Sequence, residues 1–212
     1  MANAGPISTI NATGFLRLTS PIRVLQAAEL NENNLYLSEI QAAFRAIGSV
    51  SVSFSHREFW ACSTPFDVVH IHWPEELLGA QLFREFEKTF WFWKAHGVVV
   101  FTFHNEYPHS GSSAQIRSTY DLLLNKADLV IHMGEASLAL KKRRYPDSTS
   151  SDVVIPHFAY TLYPDVLSRS ESRQALAFDQ EELLVLAFGT IRQNREREFV
   201  EEVARRVERA NL

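Results

Sequence analysis

Histidines sit where an open parallel sheet would place its chemistry. His70 and His72 close one apolar run, His104 and His109 follow a second, His132 ends a third and His157 follows a fourth. In open α/β sheets the ligand crevice lies beyond the carboxyl ends of the strands, so polar side chains there are candidates for binding or catalysis. An imidazole in that position can bind a hydroxyl or exchange a proton near neutral pH. His104 leads, because it sits at the tip of the most continuous apolar run, residues 98–103, and opens the loop His104-Asn105-Glu106-Tyr107-Pro108-His109. Each histidine also has a structural reading, as a core residue bonded to backbone. His70 and His72 show a metal-ligand spacing as well. With His104, His132 and Glu75 they would supply the nitrogen and oxygen ligands of a metal-dependent hydrolase.

A second candidate lies near the carboxyl end, where Phe188-Gly189-Thr190-Ile191-Arg192-Gln193-Asn194-Arg195 joins an apolar run to an amphipathic helix. A helix N-terminus exposes unbonded amides and the positive end of the dipole, and Arg192 and Arg195 could grip a phosphate there through paired N–H donors. The alternative is two solvated arginines paired with Glu196 and Glu198. Two other stretches read as structural. The run Phe90-Trp91-Phe92-Trp93 could touch a bilayer surface, but aromatics at helical spacing mark a core face. Lys141, Lys142, Arg143 and Arg144 could meet anionic lipid, yet cations at a helix carboxyl end suit the dipole and predict a solvated terminus.

The elements that must position these residues follow from periodicity. Residues 22–28 read as a strand; Leu37, Ile40, Ala43, Phe44 and Ile47 then recur at helical spacing until Gly48. Residues 50–54 alternate with serines, which predicts an edge strand, and residues 68–72 make a third strand. Pro74, Glu75 and Glu76 start a helix predicted to run to about Ala95, before the central strand at 98–103. Helices over 115–126 and 135–145 alternate with strands over 129–132 and 153–155. Such alternation predicts right-handed βαβ crossovers, an α/β fold with a doubly wound parallel sheet. The organisation expected is an extension over 1–20, this Rossmann-like domain over 21–160, a linker over 161–180, and an incomplete second α/β domain over 181–212. The last begins with a strand at 183–188 and a helix over 195–211.

Composition bounds the function classes. The chain has 212 residues, 46% of them hydrophobic, enough for a sizeable core and too apolar for a disordered tail. With 21 Lys and Arg against 25 Asp and Glu, no overall positive field draws a nucleic acid. One cysteine, Cys62, cannot form an internal disulfide or a zinc-finger ligand set, so a reducing compartment is expected. Residues 1–20 lack the basic start and apolar run of a signal peptide, and no stretch is apolar enough to span a membrane, so the expected location is cytoplasmic.

In this order and spacing the motifs resemble the amino-terminal half of a GT-B glycosyltransferase, of the large family-4 type that uses nucleotide sugars. Asn34-Leu35-Tyr36 is similar to the Asn-Pro-Tyr that opens the first helix of that family, and Asp67-Val68-Val69-His70-Ile71-His72 to its Asp-x-x-His-x-His strand. Thr102-Phe103-His104-Asn105 resembles its Thr-x-His-Asn strand end, and Ile155-Pro156-His157 its Ile-Pro-His before the interdomain linker. The segment from Phe188 to Arg195 is similar to the Phe-Gly-x-Ile-Arg-x-Tyr-Lys that begins the donor domain.

The resemblance implies that the first domain holds the acceptor and that His104 is the catalytic residue beside the transferred sugar. It implies substrate-binding roles for Asn33, Asn34, His72, Asn105, Glu106, His109 and His157, and places Arg192 and Arg195 against the donor diphosphate. Those cations would stabilise charge on the leaving diphosphate without a metal, so no cofactor is expected beyond the nucleotide sugar as co-substrate. The implied partners are a nucleotide sugar and a glycan or lipid-linked acceptor, with peripheral contact at the inner membrane surface if the acceptor is lipid-linked. The resemblance further implies polysaccharide biosynthesis. A complete family member has a donor domain as large as its first, so this chain is expected to be a fragment, or a half-enzyme completed by another chain, and weak or inactive alone. A metal-dependent hydrolase and a non-catalytic saccharide- or partner-binding module are the alternatives.

Overall fold

A computed structural model describes residues 7–10, 16–18, 20–31, 35–63, 65–79, 81–106, 108, 113–162, 166–188, 191 and 193–209. The chain divides into two compact units, Met1–Tyr163 and Pro164–Leu212.

The first unit is α/β. Its strands β3 (Ile22–Ala27), β4 (Val50–Phe54), β5 (Val68–Ile71), β6 (Val98–Phe103), β7 (Leu129–His132) and β8 (Ser151–Val154) form one six-stranded sheet in the order β4-β3-β5-β6-β7-β8. All five pairings are parallel, with Gln26 opposite His70, Ile71 opposite Phe101 and Phe103 opposite His132. This is the doubly wound, Rossmann-like sheet that the alternating pattern predicts, with β4 at its edge and β6 well inside. Within the first twenty residues, β1 (Ile7–Ile10) and β2 (Leu16–Leu18) pair as a separate antiparallel sheet.

Strand alternation gives the sheet two unlike faces. Leu25, Ala27, Val69, Ile71, Val99, Phe101 and Val130 turn to one side and belong to a single apolar cluster. Helices α2 (His56–Ala61), α3 (Pro74–Leu78), α4 (Phe83–His96) and α5 (Ala114–Lys126) contribute Phe59, Leu77, Phe86, Phe90, Trp93 and Leu123 to it. The aromatic run is therefore core, although Trp91 is 45% exposed. A fully buried side chain of this size contributes about 1.5–3 kcal/mol, so this face carries much of the stability. The opposite face carries α1 (Leu35–Ile47), with Tyr36 and Leu37 packed on Ala28. The last helix of this unit is α6 (Glu135–Arg144).

Two expectations over this unit need correction, and one helix is additional. The helix predicted from Pro74 to about Ala95 is two helices, because Gly79 takes φ +45° and ends α3, a left-handed conformation that side chains disfavour. Helix α2 went unread; Ser55 caps it by accepting from the Glu58 amide at 3.2 Å, and six residues are too few to show periodicity. The basic end of α6 is not uniformly solvated, since Lys141 is 1% exposed and lies 2.5 Å from Asp152 Oδ1.

The second unit contains α7 (Arg169–Ala175), inside the expected linker, and α8 (Asn194–Arg209). Ser168 and Glu171 close a reciprocal capping box at the start of α7. The strand expected at 183–188 is absent: the segment pairs with no neighbour among the described residues, and Phe188 is 95% exposed. A strand exists only through bonds to another, and no other strand is described in this unit. Leu183, Val185 and Leu186 instead border an apolar groove of about 440 Å³ with Phe199, Val203 and Val207 of α8.

Candidate functional site

The strand order reverses once. The chain leaves β3 for β4 on one side and returns to β5 on the other, so the carboxyl ends of β3 and β5 part at a topological switch point, where open α/β sheets bind ligands. His72 and Trp73 follow β5 there, His104 follows β6 alongside, and Tyr36 stands in the first turn of α1 after β3. The segment after β8 brings His157 and Phe158 to the same place: their rings lie 5.4 and 5.1 Å from that of Tyr36, Phe158 stacked on it.

Hydrogen bonds run through this cluster. His72 Nε2 lies 2.7 Å from Gln26 Oε1, and His72 Nδ1 lies 3.2 Å from His104 Nε2. His70 Nε2 lies 2.7 Å from the Thr102 hydroxyl, on the face that carries Tyr36. Trp73 stacks on His104 at 4.8 Å with an interplanar angle of 17°, and Tyr36 meets His104 edge-on at 5.0 Å. Gln26 and Thr102 are buried because strand alternation turns them onto the less apolar face, where His72 engages the Gln26 oxygen and His70 the Thr102 hydroxyl.

The rings are held neutral. Burial pushes His70 down to about 3, with His104 adding to the shift, and pushes His104 down to about 4, helped by His157. Burial likewise takes His72 well below its ordinary value. Tyr36 is pushed up to about 12, first by burial and then by Tyr160. At neutral pH the imidazoles are therefore neutral and act as hydrogen-bonding groups, which favours binding a hydroxyl over exchanging a proton at His104. A cavity of about 180 Å³, lined by Tyr36, His70, Thr102, Ile131, Pro156 and Phe158 among others, adjoins the cluster. It shares Ile40, Phe44 and Phe158 with an apolar groove of about 370 Å³ along α1.

Of the residues singled out in the sequence, His72, His104 and His157 come together around Tyr36. Asn105 follows His104 and is half-buried, whereas Glu106 is exposed and pairs with Arg144 of α6 at 3.2 Å. Asn33, Asn34, His109 and Arg192 lie outside the described residues, and Arg195 is exposed in the first turn of α8, in the second unit. The metal-ligand set is divided: His70, His72 and His104 lie together, whereas Glu75 and His132 are engaged elsewhere. Both His72 nitrogens are engaged by Gln26 and His104, Glu75 accepts from the Tyr120 hydroxyl at 2.9 Å, and His132 is bonded to Asp152 at 3.0 Å. Among the described residues no three His, Cys, Asp or Glu side chains converge as ligands for an ion.

Comparison with protein-family models, with curated proteins and with solved structures finds no match to this chain. The site therefore rests on its own geometry. Sequence reasoning gave no role to Gln26, Tyr36, Trp73 or Thr102. Gln26 was readable, as the single uncharged polar residue inside the otherwise apolar stretch 24–28, a position where a buried amide needs a partner. Tyr36 and Trp73 carried no comparable signal, because an aromatic beside a strand end reads equally well as packing.

Proposed function

We propose that the first unit is the acceptor-side domain of a glycosyltransferase that takes a nucleotide-sugar donor and a glycan or lipid-linked acceptor, and that residues 181–212 begin the donor side. The observation that carries this reading is the ring cluster at the switch point: neutral imidazoles beside a stacked indole and a phenol, at the ends of the central strands. Aromatic walls with a few placed hydrogen-bonding groups suit a saccharide, whose hydroxyls seek neutral donors and acceptors and whose ring faces are apolar. His104 holds a sugar hydroxyl in this reading, with Asn105, Glu106 and His157 nearby; Asn33, Asn34 and His109 belong to the same proposal.

During transfer, the bond from the anomeric carbon to the donor phosphate breaks as the acceptor oxygen replaces it. The acceptor proton leaves with the diphosphate or to solvent. Arg195, with Arg192, stabilises the negative charge that develops on the diphosphate. The reaction belongs to polysaccharide biosynthesis in the cytoplasm, at the inner membrane surface where the acceptor is lipid-linked.

Radiolabelled UDP- and GDP-hexoses, offered with glycan and lipid-linked acceptors, test the proposal on the chain alone and together with the product of its neighbouring reading frame. Transfer or donor hydrolysis that falls at least about tenfold in His104→Ala supports it. No turnover and no saccharide binding under any of these conditions overturns it. Saturable glycan binding without turnover favours the second reading, a saccharide-binding module, which a neutral His104 fits equally well.

A further inference from the structure

The chain Gln26–His72–His104 has a direction. A neutral imidazole carries one proton, so a ring that donates from one nitrogen must accept at the other. Gln26 Oε1 is an acceptor 2.7 Å from His72 Nε2, which places the His72 proton on Nε2 and leaves Nδ1 as a lone pair. That lone pair lies 3.2 Å from His104 Nε2, which must then donate. His104 Nδ1 becomes the remaining acceptor, on a residue that is only half-buried.

We infer that Gln26, acting through His72, is a positioning residue that fixes the His104 tautomer and so makes this site select a ligand group that donates a hydrogen bond, a hydroxyl in preference to a phosphate or carboxylate oxygen.

Two observations argue against a purely packing role for Gln26. It is 0% exposed, and its Nε2 is buried without a partner among the described residues. An orphaned amide costs stability that an apolar side chain of the same length would not, so its oxygen is retained for what it orients. Trp73 on one face of His104 and Tyr36 at its edge then hold the ring in plane. The preference for a sugar hydroxyl rests on the function proposed above; the tautomers do not.

Long-range nitrogen–proton correlation spectra of the histidine rings, recorded near neutral pH without ligand, test this directly. In the wild-type chain His72 and His104 should both carry the proton on Nε2. Gln26→Met should raise the share of His104 protonated on Nδ1 about fivefold, the effect of losing one orienting hydrogen bond, with His70 unchanged. An unchanged His70 tautomer and a native-like circular dichroism spectrum in Gln26→Met separate orientation from folding. A wild-type His104 protonated on Nδ1, or a Gln26→Met ring pattern identical to wild type, overturns the inference. Tautomers that behave as expected in a chain that binds methyl α-glucoside and methyl α-mannoside no better than inorganic phosphate would leave the relay standing. They would sink the choice of a hydroxyl.

Discussion

The strand ends hold two histidine clusters of opposite character. At β5 and β6 the imidazoles are neutral, bonded to an amide, a hydroxyl and one another, and walled by Trp73 and Tyr36. At β7 and β8, His132 and Lys141 converge on a single carboxylate oxygen of Asp152, at 3.0 and 2.5 Å. His132 is 0% exposed and Lys141 1%, so no ligand reaches either. One cluster satisfies its charges internally and pins α6 to β8; the other has no charge to satisfy and leaves His104 only half-buried. Position at a strand end therefore does not distinguish a site from a fastener. What distinguishes them is whether a reachable polar atom remains once the internal bonds are counted.

The sharpest way to break this contrast is to remove the shared carboxylate. Asp152→Asn leaves Lys141 buried without its counter-charge, so unfolding in urea should show a loss of about 3–5 kcal/mol, while the ring tautomers of His72 and His104 stay as in wild type. Combining it with Lys141→Met should recover most of the loss. A single variant as stable as wild type would mean that the charged cluster fastens nothing.

Acid should expose the other cluster. His70 at about 3 and His104 at about 4 bind their protons far less readily folded than unfolded, where histidine titrates near 6.5, and burial holds His72 down in the same way. The unfolded chain thus takes up more protons as pH falls below about 6.5, so folding weakens from there down to the folded values. Each histidine contributes up to about 1.4 kcal/mol per pH unit, and the three together should cost about 2–3 kcal/mol between pH 6.5 and 5.5. Chemical denaturation at several pH values reads this out; a flat profile across that window would place these rings in water.

Part of this contrast is legible in the sequence. The apolar runs at 98–103 and 129–132 appear as strands at the positions their composition predicts, because residues covered on both faces must be continuously apolar. The serine alternation at 50–54 marked the edge correctly. Lys141 could not be read, since its partner Asp152 lies on another element and a basic helix end looks solvated from the sequence. Residues 183–188 misled for the opposite reason: their β-rich composition is genuine, but pairing depends on a neighbour that composition does not supply. Gly79 ends α3 at a positive φ, although the acidic start at Pro74-Glu75-Glu76 predicts one long helix. In the site, the histidines were legible by position, whereas the direction imposed by Gln26 exists only in three dimensions.

Exchanging the two clusters' histidines sharpens the comparison further. His104→Ala should weaken saccharide binding about tenfold while barely moving the unfolding midpoint, because its ring is only half-buried. His132→Ala should do the reverse, lowering stability with binding intact, since it opens a cavity beside a charged pair. Titrations followed by Trp73 fluorescence, paired with thermal melts, separate the two. Equal effects in both assays would dissolve the distinction between site and fastener.

The smallest expected effect concerns how the segment after β8 is kept against α1. Glu39 accepts hydrogen bonds from the Thr161 amide, the Thr161 hydroxyl at 2.8 Å and the Leu162 amide at 2.5 Å. Burial pushes its carboxyl up, but the bonds from Leu162 and Thr161 more than offset that and hold it below the ordinary glutamate value. The tether is therefore fully made above the unfolded pKa and loosens as acid protonates the carboxyl below it. Glu39→Gln keeps the shape but removes the charge that strengthens all three bonds, and should speed amide exchange at Thr161 and Leu162 first. His157 and Phe158 lie only a few residues upstream and pack on Tyr36, so a modest loss of saccharide affinity should follow, with global stability unchanged. Exchange that stays slow at both amides would show that the aromatic stack alone holds the segment, and the neutral cluster would then be self-supporting.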